Sequence, residues 1–164
     1  ISMEDGDELV GFAPSTDASD LVFITSDAQL LRTPADKVRP QGRTASGMAG
    51  MKLSDSAHVL GFWVVDAPEE ALVVTVAGAA GALPGTGQTT AKVTPLALYP
   101  FKGRGTQGVR VQRFLRGEDR LDIAWVGENP RAASADGSPV ELPAPDERRD
   151  GSGTPLTHAI ATIG

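Results

Sequence analysis

The sequence predicts an all-β chain built as a short array of repeats, each close to a propeller blade in size. Three observations carry this. A turn sequence occurs three times: Gln41-Gly42-Arg43-Thr44-Ala45-Ser46-Gly47, Lys102-Gly103-Arg104-Gly105-Thr106-Gln107-Gly108 and Glu147-Arg148-Arg149-Asp150-Gly151-Ser152-Gly153. Each copy sets an Arg four residues before a Gly, and self-similarity at such spacing marks a repeat architecture. The apolar runs are four to seven residues long and end at Gly, Pro, Asp or Ser, which is the strand pattern. Glycine at 19 and proline at 12 suit many turns, and no window shows capped helical periodicity.

The elements follow in order. Leu9-Val10-Gly11-Phe12 reads as a first apolar strand after the acidic turn Glu4-Asp5-Gly6-Asp7. Leu21 to Thr25 is β-branched and apolar and stops at Ser26-Asp27; Gln29 to Thr33 follows and stops at Pro34. Met48 to Leu53 alternates loosely, and Val59 to Val65 is a long apolar run. Ala71 to Val76 repeats the Leu21 strand, and Asp122 to Val126 repeats it again. Ala77 to Thr90, rich in Gly, Ala and Thr, reads as a long hairpin loop. Tyr99 falls on a short strand and reads as packing, and Trp63 and Trp125 fall on equivalent strands as core residues. The register divides the chain into units at 1–50, 51–111 and 112–164, with the third telescoping its two apolar strands into Leu121 to Val126. About four short strands per unit is a blade's complement, and three blades are too few to close a ring. An open arc, or part of a larger disc, is expected.

Composition narrows the function. There is no cysteine, so disulfides and thiolate metal sites are out, and a reducing cytoplasm fits. No apolar run reaches the roughly 18 residues of a membrane span, and no secretory leader is visible. The chain opens on Ile1, which reads as a piece of a longer protein. The net charge of −6 argues against a simple nucleic-acid binder, but the distribution is uneven. Residues 1–50 carry four basic and eight acidic groups, 51–111 five and four, and 112–164 six and nine. Screening limits charge–charge reach to roughly 8 Å at physiological salt, so a basic rim can work on an acidic body.

The segments Asp20 to Gly47, and Ala71 to Thr75 joined to Pro95 to Val109, resemble repeats of a C-terminal domain found in the A subunits of bacterial type IIA topoisomerases. Those enzymes are DNA gyrase and topoisomerase IV. The resemblance covers nearly the whole chain. It implies a β-pinwheel, a propeller-like disc whose blades exchange strands, with a basic outer edge that binds and bends duplex DNA. It also implies partnership with the ATPase (B) subunit of an ATP-dependent topoisomerase whose catalytic parts lie elsewhere, and a cytoplasmic location. The gyrase signature Gln-Arg-Arg-Gly-Gly-Lys-Gly is incomplete in every copy. The first keeps Gln41, Arg43 and Gly47, and the second keeps Arg104, Gly105 and Gly108. The third keeps Arg148, Arg149, Gly151 and Gly153, with acidic Glu147 and Asp150 where the signature has Gln and Gly. This departure favours topoisomerase IV, or later blades of a gyrase.

The resemblance makes Arg43, Arg104, Arg148 and Arg149 candidate phosphate contacts, with Arg32, Lys37, Arg39, Lys52, Lys102 and Arg110 as companions. A guanidinium stays charged and grips two phosphate oxygens at once. For a single turn the structural alternative is a Gly supplying positive φ beside a solvated Arg. Other chemistry is weaker. Ala82 to Thr90 imitates a P-loop but lacks its Lys, and Pro95 stops the helix a P-loop needs. Ser152, His58 and His158 have no strand–turn–helix elbow to make a triad. Glu4 to Glu8 is a solvated acidic turn before it is a Ca²⁺ site. No catalytic residue, metal or cofactor is assigned. The expected function is non-catalytic duplex-DNA binding and bending, aiding capture of the transported segment; the alternative is a propeller-like protein-interaction module without DNA affinity.

Overall fold

A computed structural model describes residues 3–82 and 86–164. Eleven strands are present among them: β1 (Asp20–Thr25), β2 (Gln29–Pro34), β3 (Val59–Val65), β4 (Leu72–Gly78), β5 (Gln88–Pro95), β6 (Val109–Arg110), β7 (Arg120–Gly127), β8 (Ala132–Ala133), β9 (Pro139–Val140), β10 (Thr154–Pro155) and β11 (Thr162–Ile163). They form three antiparallel sheets, ordered β3-β1-β2-β6, β10-β5-β4-β7 and β11-β8-β9. The fold is all-β, of the pinwheel type.

The sheets are copies of one plan. Val22 faces Trp63 across sheet one, and Val74 faces Trp125 at the same place in sheet two. After each hairpin the chain makes one 3-10 turn, Ala35–Lys37 or Leu96–Leu98. Equivalent bonds lock these turns: Ala35 N donates to Ser19 O and Leu96 N to Ala71 O, each at 2.9 Å. The fourth strand of each larger sheet arrives from far along the chain. Residues 109–110 close sheet one on β2, and residues 154–155 close sheet two on β5.

Alternation along the strands sets the packing, because neighbouring side chains point to opposite faces. Val22, Ile24 and Leu30 of sheet one pack with Val73, Ala77 and Leu121 of sheet two in one buried cluster. On the other face of sheet two, Val76 and Ala91 pack with Ala132, Val140 and Ile160 of the third-sheet region. Sheet two is therefore covered on both faces, which is why every residue of β4 after Leu72 is buried. The outer face of sheet one instead opens into a groove lined by Leu21, Met48, Met51 and the paired rings of Phe23 and Phe62, 5.1 Å apart.

Several expectations need correction. Leu9 to Phe12 forms no strand; Phe12 is exposed, and Gly11 lies against Phe62. Between Met48 and Leu53 the structure has one bridge, Met51 to Thr106. The expected loop is shorter, since β4 runs to Gly78 and β5 starts at Gln88. Tyr99 follows a 3-10 turn rather than lying on a strand, and it is buried. The third unit is not telescoped: β7 belongs to sheet two, and sheet three is made of two-residue strands whose Ala and Pro are poor strand formers. Trp63 and Trp125 are half-buried, their rings over Gly61 and Gly127, where a Cβ would come within 2.4 and 2.7 Å of them.

One expected rim residue lies inside. Arg32 forms an ion pair with Asp20 at 2.7 Å, both side chains under a tenth exposed. Its Nη1 also donates to the carbonyls of Leu96 (3.3 Å) and Tyr99 (3.1 Å), and its guanidinium stacks 4.4 Å from the Phe101 ring centroid. Arg32 ties sheet one to the turn that follows sheet two's hairpin and is not free to meet a phosphate. Removing one member of such a pair strands a buried charge. Asp20→Ala is expected to destabilise the fold by about 3–5 kcal/mol in denaturant titration. The double replacement Asp20→Leu with Arg32→Met should cost far less.

Candidate nucleic-acid interface

The glycine in each repeated turn has a steric reason. Gly108 has φ +79°, and a Cβ there would lie 2.2 Å from the Leu30 carbonyl oxygen. At Gly153 a Cβ would lie 2.6 Å from Thr90 Oγ1. At both places the returning chain lands on the edge of an existing sheet with no room for a side chain. Gly47 also has positive φ, +86°.

The turns are bonded into a series. The chain leaving the first runs beside the second: Gly105 N donates to Gly50 O (2.7 Å) and Lys52 N to Thr106 O (3.0 Å). Arg104 Nη1 donates to Ala49 O at 3.0 Å. One repeat on, Arg113 N donates to Gly151 O at 3.0 Å, joining the second turn's exit to the third. By this geometry Lys52 and Arg113 are equivalent. Sequence reasoning included the first and missed the second, although its offset from the turn Arg is the same.

The expected cations fall into classes. Arg39, Arg43, Lys52, Lys102 and Arg110 are exposed and form no ion pair among the described residues. Arg104 and Arg149 are half-exposed and likewise without a carboxylate partner. Lys37 pairs with its exposed neighbour Asp36 at 3.2 Å, a contact worth little in water. Arg148 is held by Asp146, with Nε and Nη2 each 3.2 Å from a carboxylate oxygen. The guanidinium bonds first, then the Arg148 amide bond, hold the Asp146 carboxyl below its ordinary range.

Two buried polar systems brace these turns, and neither was anticipated. Gln112 accepts from the Thr75 hydroxyl (2.7 Å) and donates to Thr90 Oγ1 (2.9 Å). Thr90 and Thr89 both donate to buried Glu118, whose second oxygen takes the Leu115 amide at 2.6 Å. The network pins residues 112–118 to sheet two and satisfies every member, as burial demands. The second system is Lys92, only 2% exposed. Its Nζ donates to the Thr94 hydroxyl and, at 2.9 Å, to the Arg149 carbonyl. Burial lowers its pKa from 10.5 to about 8, with Asp146 and Asp150 opposing the fall and Arg148 and Arg149 adding to it. Nearby Tyr99 Oη is buried without a well-formed hydrogen bond, and burial raises its pKa.

The remaining motifs show no site. Leu83 to Gly85 of the P-loop imitation lie outside the described residues, and strand β5 stands where a P-loop has its helix. Gln88 from that motif clasps the backbone of Ile160 on both sides, at 2.7 and 2.8 Å. In the acidic turn, Asp7 accepts the Glu4 amide. Among the described residues there is no group of three or more His, Asp or Glu placed to hold a metal. No helix among them is long and apolar enough to cross a membrane.

Sequence comparison agrees with the repeat geometry. The family model described as DNA gyrase C-terminal domain, beta-propeller, matches residues 19–66 and 90–123, half of the chain. The chain belongs to that family. The matched parts hold β1 to β3, then β5, the second Gly-Arg turn, β6 and the start of β7. The DNA gyrase A protein of Staphylococcus aureus (strain MRSA252) is 30% identical over 159 residues, covering 81% of this chain. The chain spans 17% of that relative's length. Solved C-terminal domains share the fold. DNA gyrase A superposes with TM-score 0.70 at 16% identity, covering all of this chain and 55% of that one. Topoisomerase IV gives 0.69 at 15%, over 90% of this chain and 46% of that one. E. coli ParC gives 0.68 at 16%, over 92% of this chain and 61% of that one. The gyrase C-terminal domain family thus accounts for the arrangement of sheets and turns.

Lys92 makes a testable contribution to stability in this gyrase-family domain. Its folded pKa lies below its unfolded value, so between them the unfolded chain holds more protons and stability rises with pH. From pH 8 to about 10 the gain is expected to be on the order of 2–3 kcal/mol in denaturant melts, and absent in Lys92→Met.

Proposed function

We propose that this domain is a non-catalytic module that binds and bends duplex DNA within the A protein of a type IIA topoisomerase. It would help capture the duplex segment that such an enzyme transports. In this reading the parent works in the cytoplasm with an ATPase partner, the B protein. What supports the reading most is the series of hydrogen-bonded Gly-Arg turns whose cations, apart from Arg148, lack carboxylate partners. Arg43, Arg104 and Arg149 would make the principal phosphate contacts, aided by Lys37, Arg39, Lys52, Lys102, Arg110 and Arg113, with Arg148 usable once it leaves Asp146. Such contacts position a duplex and read no sequence. Bending 20–30 base pairs costs about 1–6 kcal/mol, which the same contacts must offset.

The net charge of −6 favours a second reading, a protein-interaction module without DNA affinity. Titration of a 30-base-pair duplex at low and then higher salt separates the two. The DNA reading expects binding at low salt that falls steeply, with a slope of about −0.9 per phosphate neutralised. Replacing Arg43, Arg104 and Arg149 together by Ala should reduce that slope by roughly 2 to 3 while leaving the denaturation midpoint unchanged. No binding at low salt would favour the second reading. Unchanged binding by the folded triple variant would remove the turns from the interface.

A further inference from the structure

We propose that Lys92 is a positioning residue for the third Gly-Arg turn: its buried ammonium holds the Arg149 carbonyl and so sets how that turn meets a phosphate. The inference rests on the DNA-binding reading above.

The architecture does not require a lysine here. Lys92 faces Thr75 across β4 and β5, and the equivalent pair in sheet one is Leu31 with Phe23. Sheet one thus builds the same blade with an apolar residue at this position. A buried ammonium is costly unless it is bonded. This one spends its donors on Thr94 of its own strand and on Arg149 of the turn.

The geometry explains what it holds. Three anchors fix residues 146–153 to β5. Asp146 N donates to Val93 O at 2.8 Å, Lys92 Nζ donates to the Arg149 carbonyl, and Gly153 seats against Thr90. Only the middle anchor reaches the arginine pair itself. Without it, the segment keeps its two end contacts with β5 and the Arg113 amide's bond to Gly151 O, and the arginine pair itself has no tie to the sheet.

The charge explains why the anchor is a cation. The turn carries Asp146, Glu147 and Asp150 against Arg148 and Arg149. Alone it is one charge negative, and an ammonium beneath it brings the balance to zero. The charged groups that act on Lys92 are Asp146, Asp150, Arg148 and Arg149. Tyr99 packs nearby, its hydroxyl kept neutral by burial. The lowered pKa of Lys92, about 8, places loss of this charge within reach of a binding assay.

The test uses the full chain and a 30-base-pair duplex at constant ionic strength, with affinity followed by fluorescence anisotropy from pH 7 to 9.5. Wild type is expected to lose affinity through pH 8. Lys92→Met should lose that pH dependence and, at pH 7, show a salt slope smaller by about 0.9, one phosphate equivalent. Lys92→Arg, which keeps its charge throughout, should bind at both ends of the range. Arg104→Ala, altered at another turn, should bind more weakly yet keep the pH profile. A Lys92→Met variant with wild-type slope and wild-type pH profile overturns the proposal. Should that variant fail to fold, the wild-type Lys92 Cε resonance decides. Its titration midpoint should rise when duplex is bound, and equal midpoints with and without duplex overturn the assignment. A wild-type chain that binds no duplex at low salt overturns the DNA reading itself, and this inference with it.

Discussion

No larger sheet in this chain completes itself. Sheet one waits for β6, which arrives only after the hairpin of sheet two has been made; sheet two waits in the same way for β10. This one constraint fixes most of what surrounds it. The returning segment must cross from one sheet to the edge of the previous one, and it lands so close that only glycine fits, at Gly108 and at Gly153. The residues just before the landing are a tight turn at the surface, and that is where Arg104 and Arg149 stand. The repeated Arg-x-x-x-Gly is therefore the sequence trace of an exchanged strand, and the arginine's place follows from the crossing.

Exchange also creates long-range joints, and polar groups hold them. Arg32 reaches from sheet one to carbonyls at Leu96 and Tyr99, with Asp20 balancing its charge. Gln112 and Glu118 tie the chain after the second turn to three threonines of sheet two. Purely apolar faces would bind these parts as well but would specify their register less sharply, since each hydrogen bond is satisfied in one alignment only. Sheet two carries most of this polar bracing. Its outer neighbours are fixed by smaller clusters, Val76 and Ala91 against Ile160 on one side.

The sequence disclosed the parts whose physics is local. β1, β2, β3, β4 and β7 are built on short apolar runs with clear stops, and their bounds lie within a residue or two of expectation. The turn alignment of Arg43, Arg104 and Arg149 matches the bonded series. What the sequence hid depends on partners far away. β6, β8, β9, β10 and β11 are two residues long and exist only because another strand lies beside them. Leu9 to Phe12 shows the converse: it has strand composition and Gly11 lies against Phe62 of β3, but it pairs with no strand. Arg32 and Lys92 look like ordinary surface cations in a linear reading. Only the pairing of Asp20 with Arg32, and the folding of Arg149 over Lys92, turns them inward. Arg113 was concealed for a simpler reason. Its equivalence to Lys52 appears once both amides are seen donating to the neighbouring turn.

Net charge is an incomplete guide to this molecule's surface, because two of its acids are buried and others are engaged by neighbouring hydroxyls. Asp20 is sunk against Arg32, and Glu118 accepts three hydrogen bonds in the interior. Asp27 takes the Ser54 hydroxyl, and Asp66 takes that of Ser19. In the DNA-binding reading proposed above, a phosphate chain along the turns would sense charges within about a Debye length, near 8 Å. The charge it would meet there changes from turn to turn. Around the first two, Arg43, Lys52, Lys102 and Arg104 have no carboxylate partner among the described residues. At the third, Asp146 claims Arg148, and Glu147 and Asp150 stand beside Arg149. An anion would be held at the first two turns by open cations. At the third it would be held only as firmly as the buried ammonium of Lys92 offsets the acids around it.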